Sequence, residues 1–295
     1  MKYLLIKILK KTSHLLKSEF LSSIYKKSFL HLLEDSLGRP DFEKYNVSAS
    51  KQNASIIWVY WAQGFSTAPA VVKHCISQLQ KNIPQHFTLR MINDENIHDY
   101  ITIPSIITLR VQQGIITKTH FSDILRFELL RKYGGIWIDS TVLVSDNFED
   151  ILNERNEFIT LNHSNHNIFT SITDGKWTSF FIGMPKNSAL ASFMCDAFVL
   201  YWQNNEKLID YVLIDYLIAL AYKKIPAVSL MIDGQVSEIG NNRWLLQNIY
   251  DKAIDHMCDE CLRQDSIRIY KLTYKFTPPQ DSNTYYYKYF ISSVV

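Results

Sequence analysis

The sequence has few of the residues that mark specialised protein classes. It contains four cysteines in 295 residues, which is too few for a disulfide scaffold. Cys258 and Cys261 form a CxxC motif close to His256, but a structural zinc ion needs a complete tetrahedral ligand set. The sequence contains no second CxxC and no HxxxH. We therefore expect reduced thiols and no structural metal at these cysteines.

The sequence also lacks a strong excess of charge and a long apolar run. Its formal net charge is +2 at pH 7, so composition gives no argument for nucleic acid as a partner. No segment offers about 18 uncharged apolar residues in a row, so a membrane-spanning helix is not expected. The first residues have no uninterrupted apolar stretch of the length of a signal peptide and no small-residue cleavage site. These features favour a cytoplasmic protein.

Positive charge is concentrated in residues 1–33, which carry seven lysines and one glutamate. Apolar residues between the lysines have the spacing of amphipathic helices: Leu4, Leu5, Ile8, Leu15, Leu16 and Leu32. Such helices can lie on an anionic membrane surface or pack their apolar stripe on the rest of the protein, and both interpretations stay open. Residues 38–55 are polar and turn-rich. We therefore predict a basic helical arm and linker over residues 1–50 and one domain over residues 51–295.

From residue 55 onward the sequence alternates between strand and helix patterns. The runs SIIWVYW, HFTLRMIND and IWIDSTVLV have the short apolar pattern of strands. The runs STAPAVVKHCISQLQKN and HFSDILRFELLRKYGG have helical spacing, and in the second one Ser122 is the expected N-cap and Gly134 the expected end. The alternation predicts an α/β fold with a mostly parallel sheet covered by helices on both faces.

Charged residues cluster around the third predicted strand. Asp123 and Arg126 project from the same face of one helix, although a plain salt bridge would also explain that spacing. Asp139 directly follows an apolar strand, and ligands of open α/β sheets bind beyond the carboxyl ends of the strands. Trp61 ends the first strand at the same edge, where an indole can stack on a nucleobase. A carboxylate at such an edge needs a cation, so the pattern predicts a site for Mg²⁺ or Mn²⁺ with a diphosphate.

Three segments carry a resemblance to a known family. IIWVYWAQG, FSDILRFELLRKYGGIWIDST and the spacing between them resemble the capsular polysaccharide synthesis branch of glycosyltransferase family 32. YKLTYK, at residues 270–275, looks like the same branch. The resemblance covers about residues 55–275. It implies a GT-A fold with a Rossmann-like sheet, a nucleotide-sugar donor and retention of the anomeric configuration.

The resemblance also implies roles for individual residues. Trp61 would stack on the donor base, and Asp123 and Arg126 would hydrogen-bond the sugar hydroxyls, with Arg126 also near the phosphates. Asp139 would be the first acid of the family's DxD motif, and Asp139 and Arg126 would be the catalytic pair. Thr141 occupies the position of the second acid. Its hydroxyl can ligate Mn²⁺ or Mg²⁺ but brings no charge, which weakens the expected metal site.

Further residues are candidates for the phosphate and acceptor sides of such a site. Lys271 and Lys275 are possible partners of the phosphates, or else belong to a solvated strand face. His163 and His166 would border the acceptor or complete a metal shell, or else are ordinary loop residues. Trp177 would line the acceptor side, or else pack in the core.

Together these features predict a glycosyltransferase that transfers a hexose from a nucleotide sugar, with UDP as the expected nucleotide. Its expected acceptor is a lipid-linked glycan in bacterial capsule, O-antigen or lipopolysaccharide synthesis. The basic arm would then hold the enzyme on the inner face of the membrane as a peripheral protein. Two alternatives stay open: an effector that glycosylates a protein, and a nucleotide-sugar-binding protein that has lost activity, which Thr141 favours.

Overall fold

The fold is an α/β arrangement of helices around a central sheet. The computed structural model describes residues 2–47, 54–144, 148–153, 158–162, 171–235, 242–264 and 269–291. Within them the α-helices are α1 (Lys2–Leu15), α2 (Glu19–Ser36), α3 (Ala70–Asn82), α4 (Ser105–Gln112), α5 (Lys118–Tyr133), α6 (Phe148–Asn153), α7 (Ala189–Asn204), α8 (Leu213–Lys224), α9 (Pro226–Asp233), α10 (Leu245–Asn248) and α11 (His256–Gln264). The strands are β1 (Ile56–Tyr60), β2 (Thr88–Ile92), β3 (Gly135–Ile138), β4 (Val142–Val144), β5 (Ile159–Thr160), β6 (Phe181–Met184) and β7 (Ile269–Lys271).

The central sheet of the described residues has five strands in the order β2-β1-β3-β6-β5. Strand β1 is parallel to β2 and to β3, whereas β6 is antiparallel to both of its neighbours, β3 and β5. All strands of this sheet except β6 therefore run in one direction. The prediction of an α/β fold with a mostly parallel sheet flanked by helices is confirmed. The finer assignment to a Rossmann-like GT-A fold stays a prediction.

Both faces of the sheet are buried. Trp58 and Trp137 belong to a hydrophobic cluster shared with α5 and α7. Ile57 and Ile136, the adjacent residues in each strand, belong to a second cluster shared with α3. This alternation follows from the pleat of a strand, which points successive side chains to opposite faces. Strands buried on both faces are apolar at nearly every position, which is why β1 and β3 are recognisable in the sequence.

Helix α5 begins earlier than its sequence pattern predicts. Its N-cap is Thr117, whose side chain accepts a hydrogen bond from the backbone N–H of His120 at 3.3 Å. The prediction that Ser122 caps this helix is therefore wrong, because Thr117 accepts from a free N–H group of the first turn. The helix does end at Gly134, as predicted.

The predicted third strand is divided between two sheets. Strand β3 ends at Ile138, and β4 pairs antiparallel with β7 in a separate two-stranded sheet. Between them the backbone N–H of Val142 donates to the carbonyl of Asp139 at 2.9 Å, which closes a turn. Asp139 therefore lies where the chain leaves the central sheet and begins the second one.

The N-terminal helices pack on the rest of the chain. Tyr25 and Phe29 of α2 join the cluster that also contains α5 and α7. The ring of Phe29 stacks on Tyr216 of α8 with centroids 3.7 Å apart. The predicted boundary between arm and domain, at residues 50 and 51, lies outside the described residues, so that division stays a prediction. No helix in the described part of the chain combines the length and the apolar content needed to cross a bilayer.

Two glycines join α5 directly to β3. Gly134 and Gly135 have φ angles of +71° and +99°. A Cβ atom on Gly135 would lie 2.4 Å from the carbonyl oxygen of Ile56 in β1, which no side chain can accommodate. The double glycine therefore allows the chain to turn from the end of α5 directly into β3, and allows β3 to begin in close contact with β1.

We expect Gly135→Ala to destabilise the fold more than Gly114→Ala. Gly114 also has a positive φ, of +69°, but a Cβ there meets no atom within 4 Å. Gly114→Ala should therefore cost only the backbone strain, about 1–2 kcal/mol. Gly135→Ala should add a clash worth about 1–3 kcal/mol or more. Urea unfolding of both variants measures the difference, and equal losses of stability would contradict this explanation of the turn.

Candidate functional site

Five residues that the sequence nominates line one cavity of about 670 Å³. They are Trp61, Asp123, Arg126, Asp139 and Thr141, and the candidate phosphate partners Lys271 and Lys275 line the same cavity. Trp61 follows β1, Asp123 and Arg126 lie on α5, and Asp139 follows β3. The structure thus brings them together at the carboxyl ends of two parallel strands, where open α/β sheets bind their ligands. The volume is within the range of small-molecule sites.

The centre of the cavity wall is a cluster of charged side chains: Asp123, Arg126, Asp139 and Lys271, called here the Asp139 ion cluster. Arg126 donates from Nη1 to Oδ1 of Asp123 at 3.0 Å and from Nη2 to Oδ1 of Asp139 at 3.1 Å. Trp137 Nε1 donates to the same oxygen of Asp139 at 2.8 Å. Lys271 Nζ donates to the other oxygen, Oδ2, at 2.8 Å. Each oxygen of the Asp139 carboxylate therefore accepts a hydrogen bond from a cation.

These cations keep Asp139 ionised. Burial acts to raise the pKa of Asp139, but the Lys271 ammonium and then the Arg126 guanidinium outweigh it and hold the pKa below its ordinary value. Arg126 itself is only 3% exposed, and its guanidinium lies 5.0 Å from the centre of the Trp137 ring. The result is a rigid set of charges that faces the cavity before any ligand arrives.

Lys271 reaches the site from β7. The pairing of β4 with β7 places Lys271 opposite Val142, and the backbone N–H of Leu272 donates to the carbonyl of Thr141 at 2.9 Å. Lys271 Nζ donates to Oγ1 of Thr141 at 2.7 Å, in addition to its bond with Asp139. The ammonium therefore lies between the two residues that the resemblance assigns to the metal.

Aromatic rings line another part of the cavity. The ring of Trp61 meets that of Tyr274 edge to face, with centroids 5.0 Å apart. Tyr60, Tyr211 and Trp244 line the cavity as well, and the last two are exposed. Flat, accessible rings of this kind can stack on a nucleobase.

The remaining sequence candidates lie in different places. Lys275 is exposed and lines the cavity. Trp177 is not among the lining residues; it is 2% exposed, and its Nε1 donates to Oδ1 of Asp215 at 3.1 Å. His163 and His166 lie outside the described residues. The functional roles assigned to all of these residues stay predictions.

The sequence pattern does not indicate several of the lining residues, among them Tyr274 and Ser122, or one contact. Tyr274 was not singled out, although it lies in the YKLTYK segment beside the candidate Lys275. Ser122 lines the cavity because α5 begins earlier than predicted. The contact between Lys271 and Asp139 joins residues more than 100 positions apart, and no local pattern in the sequence announces it.

Comparison with known proteins finds a family that matches nearly the whole chain and relatives that match about a third of it. Residues 7–290 match the sequence model of the family described as capsular polysaccharide synthesis protein. The chain is similar to the O-glycosyltransferase PaGT of Phomopsis amygdali, with 24% identity over 103 residues, which are 32% of this chain and 25% of that protein. It is also similar to the O-glycosyltransferase braB of Annulohypoxylon truncatum, with 25% identity over 103 residues, 32% of this chain and 24% of that protein. The chain thus spans about a quarter of the length of these curated relatives. No solved structure matches the chain.

Asp215, on α8, is a further carboxyl, and it interacts electrostatically with Asp123 and Arg126 of the Asp139 ion cluster. It is partly buried and accepts the hydrogen bond from Trp177. Burial raises the pKa of Asp215 to about 7, against the hydrogen bond from Trp177. The charge of Asp123 adds to the rise, and that of Arg126 opposes it. Asp215 therefore exchanges its proton near neutral pH.

We expect the raised pKa of Asp215 to make the fold less stable as the pH increases. Between its unfolded pKa, about 4, and its folded pKa, the folded protein holds the proton more tightly than the unfolded chain. The corresponding stability is present below about pH 4 and is lost as the pH rises to about 7. Asp215→Asn should remove this decline in the free energy of unfolding. The decline amounts to at most about 4 kcal/mol, because each unit of pKa difference is worth about 1.36 kcal/mol.

Urea unfolding at several pH values between about 4 and about 8 measures this effect. The control is Asp251→Asn, which changes an exposed carboxyl and should leave the pH profile unaltered. A profile of Asp215→Asn that runs parallel to that of the wild type would show that Asp215 has no raised pKa.

Proposed function

Because this chain belongs to the capsular polysaccharide synthesis protein family, we propose that it is a glycosyltransferase that transfers a hexose from a UDP-sugar to a glycan acceptor. The observation that carries the proposal is the cavity in which an aromatic pair, Trp61 and Tyr274, lies beside the Asp139 ion cluster. A nucleotide sugar has a flat base, which suits the aromatic pair, and a charged diphosphate with hydroxyl-bearing sugars, which suit the Asp139 ion cluster. The similarity of about a third of the chain to fungal O-glycosyltransferases supports the same activity.

The cavity offers a partner for each part of such a donor. Trp61 stacks on the base, an interaction worth roughly 1–3 kcal/mol. Lys271 and Lys275 face the diphosphate, since ammonium groups are suitable partners for phosphate oxygens. Asp123 and Asp139 accept hydrogen bonds from hydroxyl groups of the ribose or the sugar. Their carboxylates are suited to this because they are acceptors only.

The chemical step is the transfer of the hexose to a hydroxyl group of the acceptor. The bond between the anomeric carbon and a diphosphate oxygen breaks, and its electron pair stays on the departing UDP. A bond forms from the acceptor oxygen to the anomeric carbon, with retention of configuration as the family resemblance implies, and the proton of the acceptor hydroxyl passes to the departing diphosphate. The protein lowers the barrier chiefly by placing Arg126 and Lys271 where negative charge develops, in a partly dehydrated cavity.

The N-terminal helices suit an enzyme whose acceptor is attached to lipid. At the end of α1, in the turn that follows it and at the start of α2, the structure leaves large apolar side chains exposed, namely Leu15, Leu16 and Phe20, which are 66–71% exposed. Lys7 and Lys11 are exposed on the same helix α1. Apolar groups flanked by lysines bind anionic membrane surfaces. The acceptor in this proposal is a lipid-linked glycan of bacterial capsule, O-antigen or lipopolysaccharide synthesis, reached from the cytoplasmic face.

We expect the purified chain to release UDP from at least one member of a panel of UDP-sugars, with UDP-glucose and UDP-galactose tested first. Asp139→Asn should reduce that release at least about a hundredfold, which corresponds to about 2.7 kcal/mol of transition-state stabilisation. The physical reason is that the variant removes an acceptor for the donor hydroxyls and releases Arg126 and Lys271 from their positions. A coupled assay for UDP gives the rate.

The matched control is Asp150→Asn, which removes an exposed carboxylate on α6 and should retain the wild-type rate. Thermal stabilisation by UDP without any release from the panel would favour a binding protein that has lost activity. Neither stabilisation nor release would contradict the proposed function altogether.

We also expect the full chain to co-sediment with vesicles that contain phosphatidylglycerol and not with vesicles of pure phosphatidylcholine. Leu15→Glu combined with Leu16→Glu should abolish the binding, because it places negative charge at the apolar contact. Leu230→Glu, which changes a leucine of α9 that is 75% exposed, is the control and should still bind. Equal binding of both variants would rule out the N-terminal helices as the membrane contact.

A further inference from the structure

The site predicted for Mn²⁺ or Mg²⁺ does not fit a divalent cation held by the protein. These cations take a full shell of oxygen ligands, usually including several carboxylates or waters. Here the DxD position offers one carboxylate, of Asp139, and one uncharged hydroxyl, of Thr141. Among the described residues no group of three or more His, Cys, Asp or Glu side chains is placed to hold a metal ion.

Both oxygen ligands of the predicted metal already contact one cation. Lys271 Nζ lies 2.8 Å from Oδ2 of Asp139 and 2.7 Å from Oγ1 of Thr141. A divalent ion bound by the same two oxygens would occupy the space of the ammonium or lie against it. Arg126, at 3.1 Å from the other oxygen of Asp139, adds a second repulsive charge.

Lys271 is held in this place by more than its two hydrogen bonds. Its backbone N–H donates to the carbonyl of Arg243 at 2.7 Å, which fixes the end of β7. Its ammonium lies 5.3 Å from the centre of the Phe180 ring. The side chain is only 17% exposed.

The charges also balance without a metal. A DxD pair of two carboxylates is neutralised by a divalent cation, whereas Asp139 alone is neutralised by one ammonium. The threonine at position 141 and the lysine at position 271 are therefore complementary parts of one arrangement. With both present, the pair of DxD positions and its cation carry no net charge, as they would with two acids and a metal.

We propose that the ammonium of Lys271 takes the place of the divalent cation, and that this protein binds and activates its donor without a metal. The inference rests on the proposed function and deepens it. When the bond between the sugar and the diphosphate breaks, its electron pair stays on the diphosphate, and Lys271 stabilises that charge by donating a hydrogen bond. The ammonium has a further N–H beyond those used by Asp139 and Thr141.

The first test measures binding of Mn²⁺ alone to the full chain by calorimetry, so it does not depend on enzymatic activity. The wild type should show no binding up to about millimolar Mn²⁺, whereas Lys271→Ala combined with Thr141→Asp, which restores a pair of acids, should bind it. The matched control is Lys275→Ala combined with Thr141→Asp, which keeps Lys271 and should not bind. Binding of Mn²⁺ by the wild type that is lost in Asp139→Asn would overturn the proposal.

The second test measures release of UDP from a UDP-sugar with EDTA or with Mn²⁺. The wild-type rate should change less than about twofold between the two conditions. The rate of UDP release by Lys271→Ala should be lower by about a hundredfold or more, which is the usual effect of removing one group that stabilises developing charge. The double variant, Lys271→Ala with Thr141→Asp, should release UDP at least about tenfold faster than Lys271→Ala in the presence of Mn²⁺, and no faster in EDTA. A wild type that EDTA inactivates and Mn²⁺ restores would overturn the proposal.

The two tests separate this inference from the proposed function. If no variant releases UDP from any donor, the proposed function fails, and the pattern of Mn²⁺ binding still decides whether Lys271 occupies the metal position. Circular dichroism of each variant shows whether it folds. If the double variant does not fold, Lys271→Gln alone serves, because it should lose activity that Mn²⁺ does not restore.

Discussion

The carboxylate of Asp139 is the point on which the site is organised. It accepts hydrogen bonds from Arg126 of α5, Trp137 of β3 and Lys271 of β7. Those elements come from both sheets and from the helix that precedes the third strand. Two cations held this close together would repel each other without the carboxylate between them. The same anion that orders the local structure therefore concentrates two cationic side chains at one wall of the cavity.

The backbone around the site explains how this concentration is reached. The double glycine turns the chain from α5 directly into β3, and Arg126 of α5 lies 3.1 Å from Asp139, which follows β3. The division of the third strand then carries the chain out of the central sheet just after Asp139, so that β4 can pair with β7. That pairing delivers Lys271. Because the charges are fixed by packed elements, little reorganisation is needed when a negative group binds or develops there.

Much of this arrangement could be predicted from the sequence, and the rest could not for a definite reason. Local periodicity predicts the apolar strands β1 and β3 and the helix α5 that carries Arg126. The rule that ligands bind at strand ends then points to Trp61 and Asp139. Thr117 as the helix cap was missed because Ser122 offered an equally suitable local pattern. The contact of Lys271 with Asp139 depends on pairing between strands far apart in sequence, and single residues do not encode such pairing.

A double-mutant cycle on Asp139 and Lys271 is the most direct test that these two side chains form one unit. The free energies of unfolding of Asp139→Asn, Lys271→Met and the double variant would be measured in EDTA. Each single change leaves a charge without its partner, so the double variant should be more stable than the sum of the single effects predicts, by at least about 1 kcal/mol. Additive effects would mean that the carboxylate and the ammonium do not interact, and the account of the site would then be wrong.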